Sequence, residues 1–267
     1  MNGARFKVRA RWTTPDGRSG TGQAVGVTGD TGHFWFFTPN NVEIIVKVVT
    51  GCGFNSRIWT FAAGLTNVSV VMDVIDTRSG TVKSYINPQG TAFAPIQDTD
   101  AFACSTAPGQ TLFDEPATVS GLSADSEPTR VAPDQTRRLA SNPAVSTSEQ
   151  AACTADATTL CLNGGRFKVQ TQWTTADGRS GAGQAVLLTS DTGYFWFFSS
   201  NNVEVIAKVV SGCGFNSRYW VFAGGLTNVN VVTTVTDTQT GSIKTYINPQ
   251  GTAFAPIQDT AAFTACS

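Results

Sequence analysis

The chain has 267 residues, of which only 14% are charged, and its formal net charge is −1. This length accommodates two domains of ordinary size. So weak a charge balance offers no basic surface, and nucleic-acid binding is not expected. Hydrophobic residues make up 41% of the chain but fall in short runs, so no segment approaches the ~20 apolar residues of a membrane span.

The chain consists mainly of one module repeated at an offset of 161 residues. Residues 2–102 align with 163–263 without a gap, and about 73 of these 101 positions are identical. Each copy is too long to be a solenoid unit, so each is predicted to fold as a domain of its own. The predicted boundaries are residues 1–105 for the first domain and 151–267 for the second.

Alternating apolar residues predict seven short strands in the first copy, separated by turns rich in Gly, Pro and Asn. In the strand at 42–49, Glu43 and Lys47 are expected to face water. In the strand at 57–62, Trp59 and Phe61 are expected to be buried. The pattern predicts an all-β fold with two tandem antiparallel β-sandwich (Ig-like) domains, and a small closed barrel is the alternative. In chain order the predicted strands cover residues 6–12, 23–28, 33–38, 42–49, 57–62, 67–76 and 81–86.

Each copy ends in a segment with two prolines, which lack the backbone donor that a central strand requires. In the first copy this tail covers residues 87–99 and is expected to wrap one edge of the sandwich, anchored by Phe93, Ile96 and Phe102. Residues 106–150 are rich in Ala, Ser, Thr and Pro and show no apolar periodicity. They are predicted to form a long linker.

Six cysteines predict three disulfide bonds, because the first copy holds only two cysteines and the second holds two at matching positions. The remaining two would close a small local loop. Zinc binding is a weaker alternative, since neither a CxxC spacing nor a nearby histidine is present. No metal and no cofactor is expected. The predicted pairs are Cys52–Cys104, Cys213–Cys266 and Cys153–Cys161.

Disulfide bonds favour an oxidising compartment, so the protein is expected to be secreted or displayed at the cell surface. The sequence begins without the apolar segment of a signal peptide. Because Cys161 maps to the position just before Met1, we expect Met1 to replace natural upstream sequence and the chain to be a fragment or a processed form.

Several motifs resemble a tandem β-rich repeat of predicted secreted or surface proteins of bacteria. The resemblance spans each copy nearly from end to end and implies export, a tandem arrangement and disulfide bonds, but no established activity. The first copy lacks the Cys-Leu pair that precedes Asn163 in the second, which fits a truncated start. The motifs are Cys161-Leu162-Asn163, Arg166-Phe167-Lys168-Val169, Trp173, residues 191–198, Asn202-Val203-Glu204, Lys208-Val209 and Tyr246-Ile247-Asn248-Pro249-Gln250-Gly251.

Catalysis is not expected, because the chain shows no nucleophile–base pair and no cofactor motif. The only histidine, His33, is replaced by Tyr194 in the second copy, which excludes a shared histidine mechanism. His33 is expected to be an exposed strand residue.

Four acidic residues recur in both copies and invite comparison with paired catalytic carboxylates, which are held ~5–10 Å apart across a cleft. Three of them lie in turn sequences, where Asp commonly bonds its own backbone, so turn roles are favoured. A calcium site is an alternative, although the spacing of the usual loop is absent. In the first copy the four residues are Asp30, Glu43, Asp76 and Asp98.

Glu43, Lys47 and Arg57 also recur in both copies. A surface charge ladder worth less than ~1 kcal/mol per pair is favoured over a polar patch for an anionic or protein partner.

Aromatic residues give the strongest functional hypothesis. Trp35 and Phe37 share one face of their strand, and exposed rings there would stack on sugar or seat a protein. The alternative is a strand covered on both faces, by the opposite sheet and by the tail or linker. The candidate ligand-binding residues are Trp35, Phe37, Trp196 and Phe198.

The leading prediction is a non-enzymatic extracellular or cell-surface protein with a structural or adhesive role, a unit of a larger chain or filament. Its expected partners are proteins, including other copies of itself. Carbohydrate binding through exposed aromatics is one alternative, and inhibition of a secreted protease by the loop at residues 51–57 is another.

Overall fold

The computed structural model describes residues 1–104, 152–264 and 266. The linker predicted at residues 106–150 lies outside the described residues. The two repeats form two modules that belong to one compact unit.

The first module contains nine strands and one helical turn, two strands more than predicted. They form two antiparallel sheets, of order β2-β1-β7-β8 and β3-β4-β5-β6-β9. The predicted all-β sandwich is confirmed, and the barrel alternative is wrong, because neither sheet closes on itself. The elements are β1 Phe6–Thr13, β2 Ser19–Thr21, β3 Gln23–Gly26, β4 Thr31–Trp35, β5 Val42–Gly51, α1 Cys52–Asn55, β6 Arg57–Gly64, β7 Ser69–Asp76, β8 Val82–Asn87 and β9 Ile96–Ala103.

The second module repeats this arrangement and adds strand β10, which pairs with β11. Its sheets have the orders β10-β11-β17-β18, with β12 also paired to β11, and β13-β14-β15-β16-β19. The elements are β10 Leu160–Leu162, β11 Phe167–Thr174, β12 Ser180–Ala182, β13 Gln184–Leu187, β14 Thr192–Trp196, β15 Val203–Ser211, α2 Cys213–Asn216, β16 Tyr219–Gly225, β17 Asn230–Asp237, β18 Ile243–Asn248 and β19 Ile257–Phe263.

Each module has its own core between its two sheets. In the first module, Ile44 and Val46 of β5 meet Val70 and Met72 of β7, and all four are fully buried. The alternation predicts these four inward residues correctly, because successive strand side chains point to opposite faces. The second core contains the equivalent residues. Val42 was also predicted to point inward, and that prediction is wrong, because Val42 packs in the apolar cluster between the modules.

The three predicted disulfide bonds are confirmed. Cys52–Cys104 and Cys213–Cys266 each tie the start of a helical turn to the end of the module, and Cys153–Cys161 closes a short loop before β11. The described chain has no free cysteine.

The proline-containing tail was predicted to wrap an edge without forming a central strand. Its last four residues begin β9, an edge strand paired with β6, and both prolines lie outside β9. Phe93 and Phe102 are buried as expected, whereas Ile96 is half-buried at the start of β9. The two prolines, which lack a backbone N–H, thus lie where no hydrogen bond between strands is needed.

The outer face of the β3-β4-β5-β6-β9 sheet is covered by the same face of the second module. β5 and β6 contact β15 and β16 across this boundary. A third apolar cluster fills it, with Val42 and Ile45 from one side and Val203 and Ile206 from the other. Each of these two sheets is therefore covered on both faces. One face packs against the second sheet of its own module, and the other face packs against the other module.

Candidate functional site

A lysine of the first module crosses the boundary and is bound by the second. Nζ of Lys47 donates to Oδ1 of Asn202 at 2.6 Å and to the backbone oxygen of Val203 at 3.0 Å. A longer contact of 3.5 Å reaches the backbone oxygen of Leu226. Nζ also lies 5.3 Å from the centre of the Phe61 ring, within cation–π range.

The same contacts recur with the modules exchanged. Nζ of Lys208 donates to Oδ1 of Asn41 at 2.7 Å and to the backbone oxygen of Val42 at 2.8 Å, with the backbone oxygen of Leu65 at 3.3 Å. Its distance to the centre of the Phe222 ring is 5.2 Å. The boundary is therefore built like an isologous dimer interface, in which each surface binds its own counterpart.

Each lysine reaches a buried glutamate through the asparagine that it contacts. The side-chain amide of Asn202 donates to Oε1 of Glu204, and that of Asn41 donates to Oε1 of Glu43. Burial lowers the pKa of Lys47 and raises the pKa of Glu204, while the attraction between the two charges opposes both shifts. Buried charges persist only with partners of this kind.

The prediction that Glu43 and Lys47 face water is wrong, because both side chains are only 3% exposed. Charged residues on the outer face of a strand normally indicate solvent, but here a second module covers that face. Arg57 does not join them. Its Nε lies 2.7 Å from Oδ1 of Asp100 at the surface.

His33 is also buried, and its prediction as an exposed strand residue is wrong. It pairs with Ile45 in the ladder, on the face that the second module covers, and Tyr194 holds the matching position. Its Nδ1 has no hydrogen-bond partner, and burial lowers the pKa of the imidazole. Neutral histidine is favoured in such surroundings.

The four candidate ligand-binding aromatics divide into two kinds. Trp35 and Trp196 are half-buried, and Trp196 packs against the apolar cluster between the modules. Phe37 and Phe198 are 40% and 46% exposed, and each packs edge-on against a tryptophan of β1 or β11. The outer face of the aromatic strand is covered by the second module, whereas the alternative in the sequence predictions had the tail or the linker covering it.

Trp59 and Phe61 are not core residues, contrary to prediction. Ile58 and Thr60 occupy the buried face of β6, so the two aromatics point to the opposite face and are half-buried there. The bulky aromatic residues suggested burial in the core, but the period of the strand places the smaller residues inward.

Two equivalent grooves are lined by residues of both modules. The first has a volume of about 550 Å³, and its walls combine Trp59, Phe61 and Thr99 of one module with Phe198 and Asn228 of the other. The second has a volume of about 560 Å³ and is lined by the corresponding residues with the modules exchanged. Lys47 and Glu204 lie at the first groove, and Glu43 and Lys208 at the second.

An aromatic ridge borders each groove. The ring centroids of Phe54 and Trp59 are 5.6 Å apart, and those of Trp59 and Phe61 are 6.3 Å apart. Phe54 is 85% exposed on the turn that Cys52 anchors. Phe54 was not among the predicted ligand-binding residues, although it lies in the loop at residues 51–57. Its only indication was a Cys-Gly-Phe-Asn turn that is identical in both copies.

The recurrent aspartates serve the fold in the structure. Asp76 receives two hydrogen bonds from Arg5, and Oδ2 of Asp98 accepts from the Tyr85 hydroxyl at 2.8 Å. Asp30 accepts from the hydroxyl groups of Thr28 and Thr31 at its turn. These contacts hold the pKa of Asp76 and Asp98 below their usual range.

Within residues 1–104 and 152–264, no three acidic, histidine or cysteine side chains converge on a point that suits a metal ion. No helix in the same part of the chain is long and apolar enough to cross a bilayer. Comparisons with protein-family models, curated proteins and solved structures find no match to this chain.

Proposed function

We propose that the protein is a non-enzymatic extracellular or cell-surface protein with a structural or adhesive role, and that it assembles with further copies of itself into a larger chain or filament. Three disulfide bonds support an oxidising location. The observation that carries the proposal is the apolar edge that each module leaves uncovered.

This edge is strand β8 in the first module and β18 in the second. Each is the last strand of its sheet, and among the described residues it pairs on one side only. Ile86 and Val82 of β8 are 71% and 51% exposed, and Ile247 and Ile243 of β18 match them at 66% and 63%. An edge strand with free backbone groups and apolar side chains is a template for pairing with another chain.

A second copy of the chain is the occupant that these edges fit. The two edges are near-identical in sequence, so each can pair antiparallel with its equivalent on another molecule. One chain carries two of them, and a unit with two self-complementary edges can extend in two directions. Edge-to-edge pairing therefore produces open assemblies as well as closed dimers.

The size of the oxidised protein tests this proposal. Light scattering over a range of concentrations, with electron microscopy at the highest, is expected to show species larger than one chain. The variant Ile86→Lys/Ile247→Lys should remain monomeric, because charged edge strands resist pairing. Phe54→Lys, which changes an exposed apolar residue away from both edges, should assemble like the wild type. A discrete monomer at every concentration would contradict the proposal.

Carbohydrate recognition is a second candidate function, favoured by the exposed ring of Phe54 and its equivalent Phe215, which are 85% and 84% exposed. Phe54 is continuous with the rings of Trp59 and Phe61, and contiguous apolar patches at a surface mark interaction sites. An array of neutral and acidic glycans tests this function, and the absence of any binding would contradict it.

A further inference from the structure

We propose that the two inter-module grooves are equivalent binding sites for a neutral carbohydrate, in which a sugar ring stacks on Trp59 in the first groove and on Trp220 in the second. This inference rests on carbohydrate recognition, the second candidate function, and is independent of assembly through the sheet edges.

The stacking surface is held rigidly before any ligand arrives. Nε1 of Trp59 donates to Oδ1 of Asn55 at 2.9 Å, so the polar edge of the indole is already engaged. The ring lies flat over Gly51, where a Cβ would be 2.1 Å from the indole. Cys52 is bonded to Cys104 next to this turn. A preorganised aromatic face loses little conformational freedom on binding, which favours affinity.

The charges at each groove cancel and are satisfied within the protein. Nζ of Lys47 has three acceptors of the second module within 3.5 Å, and Glu204 accepts a hydrogen bond from the side-chain amide of Asn202. The ammonium group of Lys47 is therefore already bound within the protein and does not offer a free positive charge to an acidic ligand. The other polar lining groups include the hydroxyl group of Thr99 and the amide of Asn228, both exposed, whose chemistry suits the hydroxyl groups of a neutral sugar.

The two copies are identical at the grooves, whereas some positions of the boundary between the modules differ. Every residue that lines the first groove has an identical counterpart in the second copy, including Trp59 and Trp220, whose rings take no part in the lysine network. At the boundary, the second copy has Tyr194 where the first has His33, and Gly224 where the first has Ala63. Module pairing alone therefore accounts for the lysine network but not for the identity of the groove walls.

Each groove needs both modules, because each module supplies aromatic and polar residues to its walls. Trp59 belongs to β6, while Asn202 and Asn228 belong to the second module. One chain therefore presents two sites. We expect it to bind two equivalent ligand molecules, or to crosslink two strands of a polysaccharide.

Binding to a glycan array, followed by calorimetry with the tightest neutral glycan, tests the site. The wild type is expected to bind two ligands per chain. Trp59→Ala and Trp220→Ala should each bind one, and the double variant should lose at least tenfold in affinity or all detectable binding. Phe54→Ala/Phe215→Ala, which removes two highly exposed rings, should weaken binding several-fold without affecting the fold. Ile86→Ala is the matched control and should bind like the wild type.

The outcomes separate the site from the function. Neutral-glycan binding that survives the double tryptophan variant and the double phenylalanine variant would overturn the proposed site and leave carbohydrate recognition in place. Binding restricted to acidic glycans would overturn the neutral ligand. No binding to any glycan would overturn both. Thermal unfolding of each variant shows whether the fold is retained, and the phenylalanine pair decides the matter if the tryptophan variants unfold.

Discussion

The methyl group of Ala63 lies against Gly224 so closely that a Cβ on Gly224 would be 2.7 Å from the Cβ of Ala63. These two residues occupy equivalent positions in the two copies. Where two near-identical surfaces meet about a common centre, equivalent residues approach each other, and here there is room for one methyl group only. The difference between the copies at this position therefore makes the two modules complementary.

The variant Gly224→Ala is expected to destabilise the protein by about 1–3 kcal/mol, because the added methyl group overpacks the centre of the boundary. Urea unfolding monitored by tryptophan fluorescence measures the change. The double variant Ala63→Gly/Gly224→Ala moves the methyl group to the other module and should recover most of the loss. Equal destabilisation of the single and double variants would show that the two residues do not compete for the same space.

Lys47→Met is expected to cost about 3–5 kcal/mol, since it leaves the buried Glu204 and the half-buried Asn202 without their cationic partner. Lys208→Met should give a similar loss, because its contacts are equivalent. Lys83→Met is the control. Its ammonium group lies 3.3 Å from Asp98 and is substantially exposed, so a change within about 1 kcal/mol is expected there. Equal effects at Lys47 and Lys83 would contradict the buried network.

Stability is expected to fall as the pH drops below the unfolded-state pKa of His33, 6.5. Burial lowers the folded-state pKa, so the unfolded chain binds the proton first, and the loss continues until the pH reaches the folded-state value. Burial raises the pKa values of Glu43 and Glu204, so these two residues act in the opposite direction. Their effect is to lower the stability of the protein as the pH rises. The difference between the wild type and His33→Gln therefore isolates the histidine.

Unfolding free energies of these two proteins measured from pH 7.5 to 5 should diverge below about pH 6.5. The wild type should lose more stability than His33→Gln over this interval. Parallel curves would show that the imidazole is protonated as easily in the folded protein as in the unfolded chain.

The disulfide bonds are expected to contribute unequally. Cys213–Cys266 closes a separation of 53 residues and Cys153–Cys161 one of only 8. In the chain-entropy model, removing the first by a double Cys→Ala variant costs about 4 kcal/mol, and removing the second costs about 2.5 kcal/mol. Denaturant unfolding of the two double variants shows which disulfide bond contributes more to the free energy of unfolding. A larger loss for the 8-residue loop would contradict an origin in chain entropy.

Much of each module was predictable from local patterns. The alternation in β5 and β7 identifies the core residues Ile44, Val46, Val70 and Met72, because a strand exposes its two faces in strict alternation. The doubled cysteine positions predict the bonding partners, since the first copy offers Cys52 and Cys104 alone. The tandem repeat itself is visible by direct alignment of the two copies.

Alternation also assigned some faces wrongly. Lys47 and Glu43 are charged and alternate with apolar residues, as solvent-facing strand residues do, yet both are buried. Trp59 looks like a core residue, yet it borders a groove. A strand pattern distinguishes two faces but contains no information about a second surface that covers the outer one.

The sequence by itself determined two disulfide-bonded β-sandwiches, because strand period, turn residues and cysteine positions act within one copy. Only the tertiary structure decided how the copies pair, and with it the lysine network and the two grooves. That pairing depends on contacts between residues far apart in the chain, such as Lys208 with Leu65, which are 143 positions apart. Shape and hydrogen bonding across the boundary select such contacts, and no local pattern encodes them.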